Sequence, residues 1–217
     1  MCGIVGYVGT PGQSKPALGV VIDALRRMEY RGYDSAGIAL LDGSGGMAVE
    51  KKAGKLDNLV ATVESAGLEN YPATTGIGHT RWATHGRPTD INAHPHVDQL
   101  GKIAVVHNGI IENFAPLHAE LEAQGVEFTS ETDTETVTHL LHAEYYGEGP
   151  NAGNFTASVM AVINRLEGAF TLVIAHADHP DMLMACRRST PLVIGVGEHQ
   201  MFLGSDVAAF IEHTREA

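Results

Sequence analysis

The chain has 217 residues, 44% hydrophobic and 18% charged, a composition that supports a globular core and excludes a disordered or fibrous chain. Its net charge of −12 argues against nucleic acid and anionic membrane surfaces as partners. No apolar run approaches the roughly 20 residues of a membrane span, the N-terminus lacks the basic stretch of a signal peptide, and two cysteines, Cys2 and Cys186, are too few for a disulfide framework. A soluble, cytoplasmic protein of one domain is expected.

In chain order, a strand is predicted over Cys2–Val8 and a helix over Lys15–Tyr30, where Leu18, Val21, Ile22, Leu25 and Met28 recur at helical spacing. Ala36–Leu41 and Met47–Ala53 read as a hairpin across the Gly43–Gly46 turn. Leu56, Leu59, Val60 and Val63 predict a second helix stopped by Gly67. A short strand at Thr75–Thr80 leads into a long aperiodic loop, Arg81–Gln99, and loops of that length in compact domains are usually functional or disordered. Lys102–Val106 is an apolar strand running into His107-Asn108-Gly109, followed by a helix from Asn113 to Gly125. Thr132 and Glu135 have capping-box spacing and open a helix carrying Val137, Leu140 and Leu141. After a helix over Phe155–Leu166 come strand-like runs at Ala169–Ala175, Met182–Cys186, Pro191–Val196 and Met201–Leu203, and Ser205-Asp206 caps a last helix. The order is strands, helices, strands, without β-α-β alternation, so two antiparallel sheets faced by helices are expected. Neither a P-loop nor a G-x-G-x-x-G pattern is present.

Cys2 is the sharpest chemical feature. Initiator Met1 is normally removed before a residue this small, which leaves a thiol and a free α-amine on one residue. Their ordinary pKa values, about 8.5 and about 7.7–8.0, put a nucleophile and a base together near neutral pH. On position alone, Cys2 as a small buried residue opening a strand is the commoner fate. Cys186, in a strand-like run, reads as structural.

The context of Cys2 is more specific. CGIVGYVG at 2–9, EYRGYDSAG at 29–37, GHTRWATHGRP at 78–88, NAHPH at 92–96, VVHNGIIEN at 105–113 and SETDTE at 130–135 follow one another in this order. Together they resemble the glutaminase domains of the glucosamine-6-phosphate synthase family (glutamine–fructose-6-phosphate aminotransferases). These are class II glutamine amidotransferases of the N-terminal-nucleophile hydrolase superfamily. The resemblance spans nearly the whole chain, and the tryptophan of HTRWATHG and the tyrosines of EYRGYDSAG favour the hexosamine branch.

The resemblance implies an α+β, four-layer αββα sandwich and hydrolysis of L-glutamine to glutamate and ammonia through a thioester on Cys2, with no metal or cofactor. It assigns Arg81, a planar bidentate fork, to the substrate carboxylate, and Asp133 to the α-ammonium. Asp133 also suits the first turn of a helix. Asn-Gly by itself signals a hairpin turn, but the resemblance makes Asn108 and Gly109 the oxyanion hole. It adds Thr84 and His85 as substrate contacts, Trp82 as a gate, and Arg31, Tyr33 and Asp34 as residues that order the N-terminal segment. It further implies a single glutaminase domain over 1–217, ending somewhat short of the family's usual end. The resemblance implies as well that the sugar-phosphate isomerase domains that receive the ammonia are missing from this chain, and that the full-length enzyme is a homodimer.

Two other readings compete. Histidine is frequent, 12 in all, and His94-x-His96 could supply two metal ligands of a metallohydrolase. The blander account has His79, His85, His94, His96 and His107 hydrogen-bonding loop backbone and substrate. A regulatory module that binds glutamine without hydrolysing it needs Arg81 and Asp133 but no free Cys2, and the presence of the cysteine favours an enzyme.

Overall fold

Along the first strand, β1 (Gly3–Gly9), Val5 and Tyr7 face one way and Ile4 the other, because successive side chains of a strand point to opposite faces. All of these are buried, so the sheet is covered on both sides. The computed structural model describes residues 2–82 and 86–217, and within them two sheets share this property. The larger is built from β1, β2 (Ser35–Leu41), β3 (Met47–Ala53), β4 (Thr75–Arg81), β9 (Val193–Gly197) and β10 (Gln200–Gly204), in the order β3-β2-β4-β1-β10-β9. The smaller joins β5 (His96–Val97), β6 (Ile103–Ile111), β7 (Gly168–His176) and β8 (Leu183–Arg188), in that order. Every neighbouring pair of strands in both sheets is antiparallel.

Helices α1 (Ala17–Met28) and α2 (Leu56–Ser65) cover the outer face of the larger sheet, where Val5, Tyr7, Ile38, Leu40 and Phe202 pack with Val21, Leu25 and Leu59. Helices α3 (Phe114–Ala123), α4 (Asp133–Tyr146) and α5 (Phe155–Arg165) cover the smaller sheet, over Ile103, Val105, Leu172 and Ile174. Between the sheets lies a third core of Ile4, Ala39, Leu41, Ile77, Ala104, Val106, Val173 and Ala175. Burying a large aliphatic side chain of this kind stabilises by about 1.5–3 kcal/mol. The result is the four-layer αββα sandwich. No helix among the described residues is long and apolar enough to cross a membrane.

Several local expectations are corrected. Helix α1 starts only after Pro16 and gives way to a 3₁₀ turn at Glu29–Arg31; Leu18 and Ile22 flank its buried face rather than form it. The loop after Arg81 contains the two-residue strand β5, whose pairing of His96 with Val105 is a tertiary contact invisible to local pattern. Asn108-Gly109 is not a turn: β6 continues through both to Ile111, pairing Asn108 with Thr171 and Gly109 with Phe170. The capping box does not form. Thr132 occupies the N-cap of α4 without a side-chain cap bond, and its Oγ1 sits 2.9 Å from His96 Nε2 instead. Glu135 accepts from the backbone N–H of Thr129 (2.9 Å) and of Ser130 (2.6 Å). The last predicted helix is a 3₁₀ turn, Val207–Ala209, where Asp206 accepts from Ala208 N–H at 3.1 Å.

Candidate active site

The strand alternation that builds the central core also builds a cavity at one end of it. Two residues beyond Ile4 on the same side is Cys2; two and four beyond Ile77 are His79 and Arg81; two beyond Val106 is Asn108. These four line a cavity of about 320 Å³, together with Arg31, Trp82, His94, His107, Gly109, Ile110, Thr132, Asp133, Thr190 and Pro191.

One wall belongs to the larger sheet. The Trp82 backbone N–H donates to Cys2 Sγ at 3.2 Å. The Cys2 carbonyl accepts from Arg31 Nε at 3.3 Å, and Arg31 Nη1 pairs with Asp206 Oδ2 at 3.1 Å, so a charged relay holds the N-terminal segment. Burial pushes the Cys2 thiol up, against the Trp82 N–H, which favours the thiolate. The resting sulfur is therefore a thiol that needs a base. Arg81 is only 5% exposed, with Nη1 donating to the Arg87 carbonyl at 3.3 Å. The Trp82 indole is 48% exposed and meets Tyr33 edge-on at 5.2 Å, so it stands at the rim and does not fill core. The Asp34 backbone N–H donates to the Arg81 carbonyl at 3.1 Å, which ties the 31–34 loop to this wall.

The other wall belongs to the smaller sheet and α4. Asn108 Nδ2 donates to the Cys2 carbonyl at 2.9 Å, and Asn108 Oδ1 lies 3.0 Å from His79 Nε2. Gly109 has φ +116°, and a Cβ there would collide with the Ala169 carbonyl oxygen. Only glycine keeps the strand in this conformation beside the cavity. Asp133 is the first residue of α4, where the helix dipole favours a carboxylate. Its Oδ2 accepts from Ile111 N–H at 2.8 Å, and its Oδ1 lies 3.5 Å from His107 Nδ1. Burial opposes ionisation of Asp133, but the His107 contact and the Ile111 N–H outweigh it and hold the carboxyl below its ordinary value. The site thus presents a thiol, an amide donor, a guanidinium and a carboxylate around one cavity, which matches a zwitterionic amino acid carrying a side-chain carbonyl.

The cavity brings together Cys2, Arg31, Arg81, Trp82, Asn108, Gly109 and Asp133. Thr84 and His85 lie outside the described residues. Sequence reasoning did not single out Ile110, Thr132, Thr190 or Pro191 as lining the site, and it named His79, His94 and His107 only as histidines that hydrogen-bond loop backbone and substrate. Period-two alternation from Ile77 to Arg81 carried the signal for His79; Thr190 and Pro191, in a loop, carried none. Of the histidines weighed as metal ligands, His94 accepts the His107 backbone N–H on Nδ1 at 3.2 Å, and His96 bonds Thr132. Among the described residues, no three or more His, Cys, Asp or Glu side chains are grouped to hold a metal ion.

Residues 79–212 match the family model described as glutamine amidotransferase domain. The chain belongs to that family. Glutamine–fructose-6-phosphate aminotransferase (isomerizing) of Mycolicibacterium smegmatis is 66% identical over 220 residues, covering all of this chain and 34% of the relative. The Streptomyces coelicolor protein of the same name is 59% identical with the same coverage. The chain therefore spans about a third of the length of the curated relatives it matches. Among solved structures, the glutamine phosphoribosylpyrophosphate amidotransferase of B. subtilis superposes with a TM-score of 0.79 at 24% identity, covering 97% of this chain and 43% of that one. That likeness shows a shared fold, the four-layer αββα sandwich.

Proposed function

We propose that this amidotransferase domain hydrolyses L-glutamine to glutamate and ammonia, with Cys2 as nucleophile once Met1 has been removed. The observation that carries the reading is the convergence of Cys2, Asn108, Gly109, Arg81 and Asp133 on one cavity. Arg81 binds the α-carboxylate and Asp133 the α-ammonium, which leaves the side-chain amide at the thiol. The α-amine of Cys2 takes the thiol proton, a step made necessary by burial that keeps the sulfur protonated at rest. The thiolate attacks the side-chain carbonyl carbon, and the oxyanion is held by an N–H of Asn108 Nδ2 and the Gly109 backbone N–H. Collapse expels ammonia, which leaves with the proton carried by the α-ammonium, and a γ-glutamyl thioester remains. Water, deprotonated by the same amine, attacks the thioester; the sulfur departs and is reprotonated, and glutamate is released. Arg31 orders the nucleophile segment, Trp82 shields the mouth of the cavity, and Thr84 and His85 add substrate contacts. No metal or organic cofactor takes part.

In the longer protein, the ammonia passes to fructose 6-phosphate in sugar-phosphate isomerase domains, yielding glucosamine 6-phosphate in a cytoplasmic homodimer that uses neither nucleic acid nor membrane. The name shared by the curated relatives supports fructose 6-phosphate as the acceptor and the isomerising step.

The test joins an intact mass measurement to an assay of glutamate release on the same sample. A chain lacking Met1 should turn over glutamine, and Cys2→Ala should lower the rate by about 10⁴-fold or more. A processed wild-type chain that binds glutamine without releasing glutamate would replace the enzyme by a binding module.

A further inference from the structure

The mechanism above leaves unused the histidine that faces its oxyanion donor. His79 projects inward from β4 between Ile77 and Arg81, buried, with its ring stacked on His94 at 4.3 Å and 16°. Its Nε2 lies 3.0 Å from the His107 carbonyl oxygen and 3.0 Å from Asn108 Oδ1.

A backbone carbonyl can only accept, so His79 Nε2 carries the proton. An N–H at Nε2 can be met only by the oxygen of the Asn108 amide. The nitrogen end of that amide is then turned toward the nucleophile, where Nδ2 already donates to the Cys2 carbonyl at 2.9 Å. A flipped amide would fail at both ends, setting N–H against N–H at His79 and oxygen against oxygen at Cys2. The other ring nitrogen, Nδ1, is buried and has no partner among the described residues, so a second proton on the ring would find none of them to bond.

We propose that His79 is a positioning residue whose Nε2–H fixes the orientation of the Asn108 amide, so that Asn108 donates where the oxyanion develops. The inference rests on the glutaminase reading above and adds to it the residue that keeps its oxyanion hole in register. Burial pushes His79 down to about 3, which keeps the ring in the neutral, single-proton form throughout the physiological range. An amide free to turn would present its oxygen to the developing charge part of the time, and only the transition state feels that difference.

The experiment compares His79→Leu, which removes the donor and keeps bulk, with His79→Gln, whose amide N–H₂ can reach both acceptors. His79→Leu should lower kcat roughly 10- to 100-fold, less than outright loss of an oxyanion donor, with KM within about threefold of wild type. His79→Gln should recover most of that loss. Affinity for glutamate γ-semialdehyde, which forms a tetrahedral adduct with a thiol, should fall in step with kcat, while affinity for glutamate holds. In an Asn108→Ala background, adding His79→Leu should cost less than about twofold more. A full independent loss in that background, or a rise in KM at unchanged kcat, would overturn the proposal. If His79→Leu does not fold, a folded His79→Gln slowed more than tenfold overturns it as well. A processed wild-type chain with no glutaminase activity would instead remove the reading beneath, and that failure appears before any variant is made.

Discussion

Between the two sheets, the same strands carry inert side chains in their middles and reactive ones at one end. Ile4, Ile77 and Val106 meet in the central core, while Cys2, His79, Arg81 and Asn108 continue the same faces into the cavity. The apolar half is closed by contact alone. The polar half is closed by a chain of directed bonds, from Asp206 through Arg31 to the Cys2 carbonyl, and from the His107 carbonyl through His79 to Asn108. One scaffold therefore supplies rigidity by packing and polarity by hydrogen bonding within a few residues of each other, and the two should respond differently to perturbation.

The largest effect is expected at the polar end. Asn108→Ala should cut kcat by roughly 10²–10³ with KM nearly unchanged, since the amide acts on the developing oxyanion. Steady-state kinetics decides it, and a change confined to KM would mean that Asn108 only binds substrate.

Acid should probe the same region through stability. Burial pushes His79 and His96 each down to about 3, from an ordinary value of 6.5. Below pH 6.5 the unfolded chain binds protons that the folded chain refuses. The stability these rings confer by staying neutral is therefore complete above pH 6.5 and drains as pH falls from 6.5 toward 3. Each ring contributes a slope of about 1.4 kcal/mol per pH unit once the unfolded state is fully protonated. Thermal unfolding from pH 7 to pH 4.5 should show a falling Tm, with a shallower decline in His79→Gln. Parallel curves would mean that His79 is protonated in the folded chain.

The smallest effect belongs to the apolar end. Ile77→Val should destabilise by about 1 kcal/mol, read from denaturant midpoints, and leave kcat within about twofold. A large loss of rate from that single methylene would show that the core and the cavity are mechanically one unit.

Much of the scaffold was legible because its signals are local. The hairpin of β2 and β3, the amphipathic run of α1 and the apolar strand entering β6 each carry their period on their own residues. Failures came where a contact outside the periodic pattern decided. Asn108-Gly109 has the composition of a turn, yet pairing with Thr171 and Phe170 draws it into a strand. Glu135 has the spacing of a capping box, yet the loop before α4 supplies better donors at Thr129 and Ser130. In the site, Cys2 was noticeable from position and chemistry alone. Arg81 and Asp133 were not, because an arginine in a loop and an acid at a helix start are common, and family resemblance singled them out. His79 shared a face with Arg81 in the alternation, but it stood only as one of five histidines assigned to loop backbone and substrate until its neighbours were known.

Gly37 of β2 lies beneath the segment that carries His94, and a Cβ there would collide with the His94 carbonyl oxygen. The reaction centre thus rests on a strand that contributes nothing to its chemistry. Sequence drift at that position is barred by a neighbour roughly sixty residues away along the chain, and a tally of residues touching substrate would never register it.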